Sequence, residues 1–149
     1  MSKIRFSINE QQFEIDKRAT IMEVALENNI YIPHLCYNAD LVPSGVCRLC
    51  MVEIDDEKLV LACRTLAEDG MIVKTNTPKI DATIRPIVEL IIADHHFTCR
   101  ECPANGKCML QKIMAHLHID RRRVDNLRLP NIKLPLETLT PFLYYDPDK

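Results

Sequence analysis

Ser44-Gly45-Val46-Cys47-Arg48-Leu49-Cys50-Met51-Val52-Glu53-Ile54 joins a C-x2-C turn directly to a short strand-like run. Met51 to Ile54 and Leu59 to Ala62 flank the polar Asp55-Asp56-Glu57-Lys58, which reads as a hairpin, and Cys63 follows its second strand. Before the turn lies a long irregular loop, Ile30 to Arg48, carrying Cys36. Farther upstream, Ile4, Phe6 and Ile8 alternate with polar residues, and Phe13 and Ile15 resume the alternation after a turn at Asn9 to Gln12. Thr20 and Glu23 form a capping-box pattern ahead of Ile21, Met22, Ala25 and Leu26, so a short helix should run to about Asn28-Asn29. Met71 to Thr75 is a further strand. Residues 1–76 therefore read as strands around one helix, an α+β unit.

From residue 77 the texture changes. Thr77 is a good N-cap with Pro78 at the first helical position. Ile80, Ile84, Ile87, Val88, Ile91 and Ile92 recur at helical spacing, and Pro86 inside them should kink or split the helix. A loop from His95 to Gly106 follows, then a second helical face at Met109, Leu110, Ile113, Met114 and Leu117. Residues 77–118 form the second unit. Residues 119–149 show little periodicity and four prolines, but retain apolar residues; they read as an extended arm lying on the domain or on a partner.

The chain has 149 residues, a net charge of −2 and only three glycines. These values argue against a basic nucleic-acid binder, an acidic disordered tail and a Gly-rich phosphate loop. The N-terminus lacks the apolar run of a secretory signal, and the most apolar window, Ile87 to Ala93, carries Glu89 and is too short to span a bilayer. The expectation is a cytoplasmic chain with no transmembrane segment. Seven cysteines cannot all be paired in intrachain disulfides, and clustered thiols in a reducing compartment are more often metal ligands or catalytic thiols.

The cysteines fall into two groups. Cys36, Cys47, Cys50 and Cys63 form C-x10-C-x2-C-x12-C. His95, Cys99, Cys102 and Cys108 form H-x3-C-x2-C-x5-C. Together they make two four-ligand sites with no orphan thiol. Four thiolates suit a tetrahedral zinc or the two irons of a [2Fe–2S] cluster, and ligand types alone leave both open. The first group has one short pair and two distant single cysteines, which favours a cluster held in a wrapping loop over a compact zinc knot. Gly45 would let backbone N–H groups approach bridging sulfides. His96 competes with His95 for the fourth position of the second group. His34 adjoins a set that is already full. His116 and His118 read as helix-surface residues, Met109 and Met114 as core, and Arg121-Arg122-Arg123 as a solvated run. Arg48, Arg64, Arg100 and Lys107 adjoin cluster cysteines, either stabilising a reduced cluster or pointing into solvent.

His34-Leu35-Cys36-Tyr37, Cys47-Arg48-Leu49-Cys50-Met51-Val52-Glu53 and Leu61-Ala62-Cys63-Arg64 resemble the N-terminal iron–sulfur region shared by three groups of proteins. These are the large iron–sulfur subunit of respiratory complex I, NAD-dependent formate dehydrogenase alpha subunits and [FeFe]-hydrogenase subunits. The stretch from Leu90 through His95, Cys99, Cys102, Gly106 and Cys108 to Gln111 resembles their motif of one histidine and three cysteines for [4Fe–4S]. The resemblance covers about residues 1–115. It implies a β-grasp, plant-ferredoxin-like domain carrying [2Fe–2S], then a small helical domain carrying [4Fe–4S] and an extended C-terminal arm.

Those proteins continue into a two-cluster ferredoxin domain opening with C-x2-C-x2-C, whereas this sequence stops at Tyr144-Tyr145-Asp146-Pro147-Asp148-Lys149. The expectation is therefore a non-catalytic electron-transfer subunit. It would relay electrons between a flavin- and NAD(P)-binding iron–sulfur subunit and a further redox subunit or ferredoxin, of the formate dehydrogenase or hydrogenase type, with electron-bifurcating complexes among the assemblies that fit. The competing expectation is a zinc-stabilised interaction module without a redox role.

Overall fold

The computed structural model describes residues 3–16, 18–95, 97–128, 137–140 and 143–145. Strand β1 (Ile4–Ile8) turns at Asn9 and Glu10, both at positive φ, into β2 (Gln11–Ile15). Helix α1 (Ile21–Glu27) starts at the expected capping box, with the Thr20 side chain accepting from the Glu23 amide and the Glu23 carboxylate accepting from the Thr20 amide. Strands β3 (Met51–Ile54), β4 (Lys58–Leu61) and β5 (Ile72–Lys74) complete a five-stranded sheet of order β2-β1-β5-β3-β4. Only the β1–β5 pair is parallel. This mixed sheet with α1 against its apolar face is the α+β, ferredoxin-like arrangement expected. Phe6, Ile8, Ile21, Met22, Val24, Ile32, Val52 and Val73 build its core.

Helix α2 (Pro78–Ala93) begins at Thr77, whose side chain accepts from the Ile80 amide. It runs through Pro86 without interruption, so the expected split does not occur. Proline removes one helical hydrogen bond and crowds the preceding turn. Burial of Ile80, Ile84, Val88 and Ile92 on one face outweighs that cost. Helix α3 (Met109–His116) follows the cysteine loop. Half-buried Met114 packs against the helical core, but Met109 is exposed, contrary to its assignment as core.

Residues 121–125, part of the expected extended arm, form helix α4 (Arg121–Asp125), capped by Asp120, and the Arg121–Arg123 run read as solvated is exposed on it. Val124 is buried in the helical core, and Arg123 donates to Glu89, a carboxylate only 3% exposed inside α2. A long-range partner decided this short helix, and local periodicity could not announce it. β6 (Glu137–Thr140) and β7 (Leu143–Tyr145) form an antiparallel pair within the arm. Within the arm, residues 129–136, 141–142 and 146–149 lie outside the described residues, as does His96.

The two cores meet at the C-x2-C turn. Leu49 is fully buried in the helical core with Ile80, Ile84, Val88, Ile92, Ile113, Leu117 and Val124, whereas its neighbour Cys50 is buried in the sheet core. Glu53 on β3 accepts from Lys79 at 3.0 Å, tying the sheet to the first turn of α2. Tyr31 makes a second link. Its ring meets His116 edge-on, and Lys112 Nζ lies 4.3 Å from its centroid.

Candidate metal centres

The first cysteine set is assembled by the hairpin register and by the loop. Met51 pairs with Leu61, and the Ala62 amide donates to the Cys50 carbonyl at 2.8 Å, so Cys50 and Cys63 face each other across the strand ends. The Cys63 turn is held in place because the Met22 and Ile21 amides donate to Ala62 and Thr65 carbonyls. Cys36 and Cys47, from the two ends of the loop, place their sulfurs 3.3 Å apart. The four cysteines thus arrive as two pairs, Cys36 and Cys47 with their sulfurs in contact and Cys50 and Cys63 adjacent at the end of the hairpin.

The two pairs differ in electrostatics. Burial pushes Cys50 up to about 12, and the adjacent Cys63 thiol adds to the rise. At half-buried Cys36 the smaller desolvation also raises the value. Donation from the Cys47 backbone amide, the Cys47 thiol, the Ser44 hydroxyl and the Val46 amide outweighs it and brings Cys36 down to about 7. Residues 44–47 are therefore a polar cradle beside one sulfur, a favourable environment for a thiolate ligand. Gly45 sits inside that cradle with φ +69, and a Cβ there would lie 2.8 Å from Arg64 Cδ. The role this shows for Gly45 is not the expected approach of amides to bridging sulfides. The chain must bend left-handed and pass close to a side chain.

The second set lies on one loop between α2 and α3. His95 follows the C-cap Asp94, is exposed, and its carbonyl accepts from Arg128 Nη2 at 3.1 Å. Half-buried Cys99 and Cys102 occupy consecutive turns, with the Cys102 amide donating to the Cys99 carbonyl at 3.3 Å. Cys108 stands at the N-cap of α3, where a serine or aspartate would bond the helix amides. Its thiol makes no such bond. Gln111 closes the loop, accepting from the Gly106 amide and donating to Asn105 Oδ1. Phe97 is flanked by Arg121 and Arg128, at 4.6 and 4.8 Å from its ring centroid. Sequence reading missed the roles of Arg121 and Arg128, which depend on partners brought close by the helical packing, and that of Gln111, whose partners lie five and six residues back in the cysteine loop. His34 Nδ1 lies 2.8 Å from the Ile32 carbonyl, His116 meets Tyr31, and His118 is exposed. Among the described residues, no three or more His, Cys, Asp or Glu side chains converge on a single-ion site.

Donor sets of this composition suit iron–sulfur clusters, and comparison with known proteins defines the class: this is an iron–sulfur protein with two cluster-binding regions. The chain belongs to the 2Fe-2S iron-sulfur cluster binding domain family, whose profile matches residues 1–78. Residues 85–123 match the NADH-ubiquinone oxidoreductase-G iron-sulfur binding region, a [4Fe–4S] profile. An NADH-quinone oxidoreductase component of Rhizobium meliloti, of the G type, is 38% identical over 112 residues, which are 74% of this chain and 13% of that protein. Iron hydrogenase 1 of Clostridium pasteurianum is 36% identical over 111 residues, 72% of this chain and 19% of that protein. The gamma chain of the NAD-reducing hydrogenase HoxS of Cupriavidus necator is 31% identical over 110 residues, 74% of this chain and 47% of that protein. A solved NAD+-reducing [NiFe]-hydrogenase chain in the H2-reduced state superposes with a TM-score of 0.70 and 27% identity, over 78% of this chain and 50% of that one. The chain thus spans between 13% and 47% of the lengths of these curated relatives. Its cofactors are a [2Fe–2S] and a [4Fe–4S] cluster, and the zinc alternative falls. No helix among the described residues is long and apolar enough to cross a membrane.

Proposed function

We propose that Cys36, Cys47, Cys50 and Cys63 hold the [2Fe–2S] cluster and His95, Cys99, Cys102 and Cys108 the [4Fe–4S] cluster. The chain then relays electrons between a flavin- and NAD(P)-binding iron–sulfur subunit and a further redox subunit or ferredoxin. The observation that carries this reading is the pairing of the first four cysteines, Cys36 Sγ 3.3 Å from Cys47 Sγ and Cys50 beside Cys63 across the end of the hairpin. Two irons need two thiolates each, whereas one zinc needs four donors around a point. When bound, the clusters supply one-electron chemistry. The polypeptide supplies the rest: Leu49 anchors the turn between the ligands, the 44–47 cradle lowers the pKa of Cys36 toward a thiolate, and Gln111 shapes the second loop. A neutral His95 in place of a thiolate leaves the second centre one negative charge lighter, which favours its reduction, as histidine does in Rieske centres. The division into a sheet module over residues 1–76 and a helical module from residue 77 belongs to the same reading. The names of the relatives, components of NADH- and hydrogen-linked oxidoreductases, support the choice of partners.

Anaerobically purified protein should be brown and bleach with dithionite, with about six irons per chain and equivalent acid-labile sulfide. His95→Cys should keep the [4Fe–4S] cluster and lower its potential. An unchanged potential removes His95 from the ligand set, and iron retained in full by Cys36→Ala and Cys50→Ala removes the first set.

A further inference from the structure

We propose that Arg64 is a positioning residue for the first centre. It lies across Gly45 and donates to the Pro43 carbonyl, and so fixes the segment that faces the Cys36 sulfur. The inference rests on the reading of Cys36, Cys47, Cys50 and Cys63 as cluster ligands.

Segment 41–47 has little packing of its own. Leu41, Val42 and Val46 are 68%, 92% and 73% exposed, and a loop with few buried contacts is ordered by its specific bonds. Arg64 provides such a bond from outside the loop. Its Nη1 lies 3.3 Å from the Pro43 oxygen, and its Cδ and Cγ lie 2.8 and 3.5 Å from where a Gly45 Cβ would be. Only the missing Cβ permits this contact. Arg64 follows Cys63 directly, and its own amide donates to the Leu61 carbonyl at 3.0 Å. One side chain therefore joins the end of the Cys50–Cys63 pair to the loop of the Cys36–Cys47 pair. The groups it holds, the Ser44 hydroxyl and the Val46 and Cys47 amides, stand beside the 3.3 Å contact of the Cys36 and Cys47 sulfurs and are placed to donate to a bound thiolate. Such donation stabilises the more negative, reduced form of a thiolate-bound centre and raises its potential.

A bare positive charge near the centre would act in the same direction, so the test separates charge from position. An exposed guanidinium acting as a charge is screened, with a Debye length of ~10 Å at about 0.1 M salt and ~3 Å at about 1 M. Oriented N–H bonds are not. The full chain, loaded with both clusters, is titrated under EPR at both salt concentrations as wild type, Arg64→Ala and Arg64→Lys, with iron and sulfide assayed in parallel. In Arg64→Ala the [2Fe–2S] reduction equilibrium should fall about tenfold, about 59 mV for one electron, equally at both salts. The [4Fe–4S] potential should not move. Arg64→Lys keeps the charge but not the planar fork, and should recover only part of the loss. A shift that disappears at high salt, full recovery with lysine, or no shift overturns the proposal. If Arg64→Ala loses iron, the same comparison is read on Arg64→Gln, which keeps a shorter apolar stem and a planar amide donor without the charge. A wild-type chain without a [2Fe–2S] signal defeats the ligand reading itself, whereas an intact wild-type cluster with unmoved variants defeats only the role of Arg64.

Discussion

Replacing Leu49 with alanine tests how the fold holds the first centre. Leu49 has no exposed surface and packs among Ile80, Ile84, Val88 and Ile113, yet it lies between Cys47 and Cys50. The substitution removes three carbons from a closed apolar site. Such changes cost about 3 kcal/mol, within a range of roughly 2–5 that depends on how far the walls relax. For a chain of this size each kcal/mol lowers the melting midpoint by roughly 2–4 °C, so a fall of roughly 6–12 °C is expected. The midpoint is followed by circular dichroism on anaerobic, cluster-loaded protein at one scan rate, because cluster loss makes unfolding irreversible. A second readout is the rate at which a chelator removes iron from the [2Fe–2S] centre. It should rise, because the turn bearing two of the thiols has lost its anchor in the helices. Leu49→Met nearly conserves volume and should cost less than about 1.5 kcal/mol. A fall under about 2 °C in Leu49→Ala would refute the packing argument. A normal fall with unchanged iron retention would refute the claim that the helical core holds the cysteine turn.

Gly45→Ala should sharply reduce [2Fe–2S] occupancy, since its φ is +69 and the new Cβ meets Arg64 at 2.8 Å. Gly70→Ala, with φ +81 and open space around it, should cost only the ~1–2 kcal/mol of left-handed strain and keep the cluster. Iron and sulfide assays on the two variants decide this, and equal losses would count against the close contact. The Thr77 hydroxyl and then Lys79 hold the Glu53 carboxyl below its ordinary value of 4.5. Its folded pKa is depressed, so its contribution to stability is present above 4.5 and lost as pH falls through the lower folded value. Glu53→Gln should therefore flatten the acid limb of a urea-midpoint profile below pH 4.5, and an unchanged limb would refute the coupling. Arg123→Ala leaves Glu89 buried without its cation. Breaking a buried pair costs about 3–5 kcal/mol, but the largely exposed Arg123 side chain reduces this to about 1–3. Glu89→Leu combined with Arg123→Ala should recover most of the loss in denaturant titrations, and a strictly additive double variant would contradict the pairing.

Local chemistry in the sequence determined which residues are available to the two centres and the elements around the first. The capping box at Thr20 and Glu23, the alternation in β1, and the turn between β3 and β4 are decided by neighbours within a few residues, and they stand in the structure as read. The cysteine spacings, with their resemblance to a known family, pointed to two clusters because ligand number and type are covalent facts of the chain. Tertiary structure decided what depends on distant partners. Pro86 stays within a helix because four buried side chains outweigh its lost hydrogen bond. Arg121–Asp125 becomes a helix because the helical core takes up Val124 and Glu89 pairs with Arg123. Arg64 lies over Gly45, and Leu49 leaves the sheet core for the helical one, because the hairpin and α2 converge on the cysteine turn. Burial and long-range hydrogen bonds carry no signature in local periodicity, so these placements become readable only once the chain has closed on itself.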